Sequence, residues 1–122
     1  LYNGGAALDY DTAPGAGTTG TVTLSETAAN FKELTIFFHS GATQGEYDPN
    51  ASTTTPFPDG KYVLLPCFKV ASSTIIQALT KTVYISGTSI SRAYAGYANI
   101  GSDTSSDCNY DNIYITRVTG RR

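Results

Sequence analysis

Glu33-Leu34-Thr35-Ile36-Phe37-Phe38-His39-Ser40 is the stretch on which the fold turns. Leu34, Ile36 and Phe38 alternate with Glu33, Thr35, Phe37 and His39, and a period of two sends successive side chains to opposite faces of a β-strand. Phe37 on the nominally polar face indicates that this face is covered too. Similar alternation runs through Thr21-Val22-Thr23-Leu24-Ser25 near the start of the chain and through Asn112-Ile113-Tyr114-Ile115-Thr116-Arg117-Val118-Thr119-Gly120 at its end.

Between these segments the sequence reads as short strands with turn signals roughly every 8–12 residues, the pattern of a sandwich or barrel. Residues 3–19 are rich in Gly and small residues and read as a loop-rich entry, with Leu1-Tyr2 as a short strand. Glu26 to Asn30 reads as a tight or helical turn capped by Ser25, with Phe31 closing it into the core. Gly41 to Asp59 is a polar, Pro-punctuated, hairpin-like excursion ending in the turn Pro56-Phe57-Pro58-Asp59-Gly60. Lys61 to Pro66 is a strand that Phe68 to Val70 can continue. Ser72 to Leu79 fits helix or strand, whereas the β-branched residues of Thr80 to Ser86 specify a strand. Gly87 marks a hairpin, Arg92 to Ile100 carries Tyr94 and Tyr97 among small residues, and Gly101 to Cys108 is a loop. The periodic positions nominate a core of Leu24, Leu34, Ile36, Phe38, Val63, Leu65, Val83, Ile85, Ile113 and Ile115.

At 122 residues the chain suits one domain, 1–122. Eighteen Thr and eleven Ser against 15% charged residues mean a surface of hydroxyls and amides, which suits strands. A net charge of -2 with scattered cations offers no basic field for a phosphate backbone, so nucleic acid is not an expected partner. No apolar run approaches the ~20 residues that cross a bilayer, and no membrane insertion is expected. Cys67 and Cys108 lack metal-ligand spacing and read as two buried or partly buried thiols of a reducing compartment; a bridge between them would instead indicate a secreted protein.

No catalytic constellation emerges. His39 is the sole histidine and reads as a rim residue satisfied by water or backbone. Asp9, Asp11, Glu46, Asp48, Asp59, Asp103, Asp107 and Asp111 fall in predicted loops, where acids are solvated, and nothing brings two of them across a cleft as a glycosidase requires. Asp103 to Asp111 has oxygen donors but not the spacing, glycine and terminal Glu of a calcium loop. Neither enzyme activity, cofactor nor metal is expected. The tyrosines carry more information. Tyr62, Tyr84 and Tyr114 lie in predicted strands, whereas Tyr47, Tyr94, Tyr97 and Tyr110 lie in loops or at strand ends beside Asp48, Asn50, Asn99, Asn109 and Asp111. A ring beside amides and carboxylates suits a sugar, covering its C–H face while the polar groups share its hydroxyls. The expected ligand-binding set is Tyr47, Asp48, Asn50, Tyr94, Tyr97 and Asn99.

Gly20-Thr21-Val22-Thr23-Leu24-Ser25-Glu26-Thr27-Ala28-Ala29-Asn30-Phe31 and Tyr114-Ile115-Thr116-Arg117-Val118-Thr119-Gly120 together resemble the opening "GTITLSxSAANF" and closing "YIYITRVxGxx" of the small domain at the C-terminal tip of many bacteriophage tail-fibre and receptor-binding proteins. The resemblance covers both ends and thins in the middle, where Gly41 to Asp59 and the two cysteines depart from the pattern. It implies an antiparallel, jelly-roll-like β-sandwich head at the virion tail tip, assembled in the host cytoplasm and preceded by a fibre shaft or baseplate protein. It also implies a homotrimer that binds a host cell-surface saccharide. The matching residues are framework and carry no binding role. Large residues on both faces of Glu33 to Ser40 and of Asp111 to Thr119, Phe37 opposite Ile36 and Tyr114 opposite Ile115, point to subunit contacts on the second face. Two other readings stand beside this one: a non-binding structural cap or decoration module of a virion, and a carbohydrate-binding or adhesin module of a secreted bacterial protein.

Overall fold

A computed structural model describes residues 1–3, 17–40, 51–56, 59–72, 74–101, 105–106 and 111–122. The alternating segments become strands, in the order β1 (Tyr2–Asn3), β2 (Val22–Thr23), β3 (Glu33–Ser40), β4 (Ala51–Pro56), β5 (Lys61–Ser72), β6 (Ile75–Ser86), β7 (Ser89–Ile100), β8 (Ser105–Ser106) and β9 (Ile113–Arg121), with a 3-10 turn at Ala28–Asn30. They form two sheets, one ordered β1-β9-β3-β4 and the other β2-β7-β6-β5 with β8 beside β7. Every strand pairing among the described residues is antiparallel.

Both sheets feed one hydrophobic cluster, Leu34, Ile36, Phe38, Ile113, Ile115 and Val118 from the first and Val63, Leu65, Leu79, Val83, Ile85 and Ile90 from the second. All ten core residues expected from periodicity are buried. The ambiguous Ser72 to Leu79 segment resolves as strand from Ile75, which starts β6, and from Ile76 it pairs with both β5 and β7. Gly87, at φ 58°, makes the turn between β6 and β7, where the positive angle favours glycine. The polar excursion after β3 contains a six-residue strand, β4, whose Thr53, Thr54 and Thr55 pair with Ile36, Thr35 and Leu34.

Two local expectations are corrected. Strand β2 is two residues long, although Val22 and Leu24 are both buried as their parity predicts. The 3-10 turn has Thr27 and not Ser25 at its N-cap, without a side-chain capping bond, so a short backbone turn holds the segment. Its N-terminal Ala28 N–H donates instead to the carbonyl of Gly87 at 2.8 Å.

The two ends of the described chain interlock. Lys32 N–H donates to the Arg121 carbonyl at 2.7 Å, and the Phe31 ring lies against Gly120 so closely that a Cβ there would stand 2.5 Å from it. Arg122 stacks on the other part of this arrangement, its guanidinium 4.7 Å from the Phe31 ring centre and its Nη2 2.7 Å from Glu26 Oε1. The closing glycine is thus required by the opening phenylalanine.

Candidate functional site

His39, Asp59 and Asp111 are the candidate titratable groups that lie among the described residues. His39 is buried and not at the rim. A β-bulge in β9 lies beside it: Phe37 pairs with Arg117 but Phe38 with Ile115, so Thr116 is an extra residue, and beyond it Phe38, His39 and Ser40 are all buried, His39 across from Tyr114. Thr116 Oγ1 donates to the Phe37 carbonyl at 3.2 Å, His39 Nδ1 stands 3.3 Å from the Ser40 carbonyl, and the imidazole stacks on Tyr114 at 5.7 Å. Among the described residues Nε2 has no hydrogen-bond partner.

Asp111 departs from its expected place as a solvated loop acid. It is almost covered, and Lys81 Nζ donates to its two carboxylate oxygens at 3.2 and 3.0 Å. The same ammonium donates to the carbonyls of Thr19 at 2.7 Å and Ile113 at 3.2 Å. Lys81 therefore links β6 in one sheet to the start of β9 in the other. Burial pushes its ammonium below the usual lysine range; Asp111 opposes that shift by hydrogen bonding and charge, and nearby Arg92 adds to it. With its donors spent on carbonyls and a carboxylate, this lysine is a strut. Its signal was present in the sequence, because Lys81 has the inward parity of Leu79, Val83 and Ile85.

The six expected ligand-binding residues do not form one site among the described residues. Tyr47, Asp48 and Asn50 lie outside them, as do Cys108, Asp103 and Asp107. Tyr94, Tyr97 and Asn99 lie within β7 and not in a loop. Tyr94 faces away from the hydrophobic cluster and is exposed, whereas Tyr97 packs against the cluster and Asn99 shares its inward side, with Oδ1 buried and unpartnered among the described residues. A spacing of three along a strand reverses the face, so Tyr94 cannot share a ligand with Tyr97.

The two outward sheet faces differ in chemistry. On the β9-β3-β4 side, Arg121 Nε donates to Glu33 Oε1 at 2.6 Å, Thr35 and Thr54 share a 3.0 Å hydroxyl bond, and the Arg117 guanidinium lies 4.2 Å from the centre of the Phe37 ring. Phe37, expected to be covered by another subunit, is half-covered by its own chain. Beside it, Leu1, Tyr2, Arg117, Val118 and Thr119 line an open groove of about 350 Å³. On the β5-β6-β7 side, cross-strand rows place Tyr62 beside Tyr84, Leu64 beside Thr82 and Tyr94, Phe68 beside Ala78 and Ala98, and Ile76 beside Ile100. Tyr62 and Tyr84 touch with ring centres 4.8 Å apart. Tyr62, Leu64, Phe68, Ile76, Tyr94 and Ile100 on this face are 44 to 68% exposed.

Among the described residues no group of three His, Cys, Asp or Glu side chains is placed to hold a metal ion. The chain matches no family model, no curated protein and no solved structure.

Proposed function

We propose that this chain is the receptor-binding tip domain of a bacteriophage tail, with its two sheets forming a jelly-roll-like sandwich and its cargo a host-surface saccharide. The observation that carries the reading is the clasp between the opening and closing segments. Phe31 against Gly120, Lys32 on Arg121, and Arg122 on both Phe31 and Glu26 explain why the two resembling segments occur together. They form one framework unit.

The saccharide site is proposed for the segment carrying Tyr47, Asp48 and Asn50, because binding residues concentrate on loops held by a rigid scaffold. Tyr94 and Tyr97 face opposite sides of β7, so they do not both line it. Each site is expected to bind at around millimolar Kd, about 4 kcal/mol. Display of several copies on one particle raises avidity by orders of magnitude without new contacts. A fluorescent form of the domain, clustered on beads, should bind a panel of bacterial surface glycans and lose that binding on Tyr47→Ala or Asn50→Ala with an unchanged thermal transition. Binding to cells that survives periodate cleavage of the glycan diols would refute the saccharide reading. The exposed apolar face of β5-β6-β7 favours a second reading, a structural cap whose work is assembly; absence of any glycan binding by a well-folded assembly would select it.

A further inference from the structure

The β5-β6-β7 outer face is an apolar surface on a domain whose other outer face is polar. Three aromatic side chains, Tyr62, Phe68 and Tyr94, and three aliphatic ones, Leu64, Ile76 and Ile100, stand on it between 44 and 68% exposed. From the areas such side chains bury, these six leave on the order of 500 Å² of apolar surface in water. That is at the upper end of what a monomer carries without a partner. The threonines and alanines in the same cross-strand rows bring the surface close to the roughly 800 Å² per partner of a stable protein interface.

We infer that this face is an interface between copies of the chain. Three observations favour a second copy over other occupants. The rows between Tyr62 and Ile100 present threonine, alanine and large apolar groups without a charged side chain facing outward on β6, so two such faces meet without burying like charges. Self-interfaces are the more apolar class, with charge depleted at their centre. A saccharide, by contrast, needs polar partners for its hydroxyls, and Leu64, Ile76 and Ile100 offer none. The inference deepens the proposed function: the number of copies, three, rests on that reading, while the choice of face rests on the surface itself. It also moves the expected subunit contact from Phe37 and Tyr114 to the opposite sheet.

The test is the mass of the chain in solution, by light scattering after size exclusion at about 50 µM, well above the micromolar Kd of a modest interface. The parent chain should run as an oligomer, three times 12.9 kDa if the stoichiometry holds. Leu64→Arg and Ile100→Glu should each reduce it to a monomer with the same far-ultraviolet circular dichroism, since both positions are exposed and the subunit's own core is untouched. Thr54→Arg, on the polar sheet, should leave the oligomer intact. A monomeric parent overturns the inference, as does an oligomer that survives both charged variants or one that only Thr54→Arg dissociates. Co-sedimentation of a monomeric parent with zwitterionic lipid vesicles would overturn it in favour of a membrane occupant. Glycan binding is read separately, so loss of one result leaves the other standing.

Discussion

Leu64 and Leu65 are neighbours in β5 with the same side chain, yet one is half exposed and the other is completely buried. The contrast extends across the sheet: the inward rows of β5, β6 and β7 are closed against β3 and β9, and the outward rows are nearly as apolar but meet no other part of the described chain. What differs between the faces is the covering, and composition alone does not reveal it. The polar sheet makes the same point from the other side, since Phe37 is covered by Arg117 from its own strand pair. An aromatic residue on an outer face is therefore evidence of a partner only when no side chain of the same molecule reaches it.

The largest effect should come from the inward rows. Lys81→Met removes the ammonium that holds Asp111 and leaves the carbonyls of Thr19 and Ile113 without that donor. Breaking a buried pair in this way should cost about 3–5 kcal/mol in urea unfolding. A loss near zero would mean that water reaches the strut. Leu65→Ala should cost about 2–5 kcal/mol by leaving a cavity. The same substitution at Leu64 sharpens the comparison: in solutions dilute enough for a monomer it should change unfolding by no more than about 0.5 kcal/mol. Between these two lies Gly120→Ala, where the new methyl meets Phe31 and should cost about 1–3 kcal/mol. Most of that cost should vanish in a Phe31→Leu background, a coupling that a double-mutant cycle reads directly.

The smallest effect is set by acid. Glu26 and Glu33 are partly exposed, and hydrogen bonds from Arg122 and Arg121 hold their carboxyls below the ordinary 4.5. Each group binds its proton less readily when folded than when unfolded, so its stabilisation is complete above about pH 4.5 and lost as pH falls through the folded value. A Glu26→Gln, Glu33→Gln double variant should flatten the dependence of Tm on pH below that point. It should leave the profile between pH 5 and 7 parallel to the parent's.

The core was legible because Leu34, Ile36, Phe38 and their counterparts repeat at the period of the pleat, and hydrophobic burial acts on that period regardless of loop detail. The bulge at Thr116 was not, because no feature of Ile115-Thr116-Arg117 distinguishes an extra residue from a paired one; it shows only as a shift of register against Phe37 and Phe38. Beyond the shift His39 pairs with Tyr114 and is buried. Tyr94, Tyr97 and Asn99 are near along the chain, but in a strand parity puts Tyr94 on the face opposite Tyr97 and Asn99. The Lys81–Asp111 bond joins residues thirty apart, and although the lysine's parity points inward, its partner stands outside any periodic segment. Tyr47, Asp48 and Asn50 remain a reading of sequence, lying outside the described residues.

Among the described residues strand β5 ends its sheet, and Pro66 stands in its middle, paired across from Thr80. A twelve-residue edge with a full row of amide donors would template another strand, and many copies held close together would zip into fibrils. Proline removes one donor from that row and stiffens the backbone around it. The proline thus interrupts the amide row along which a further strand would add.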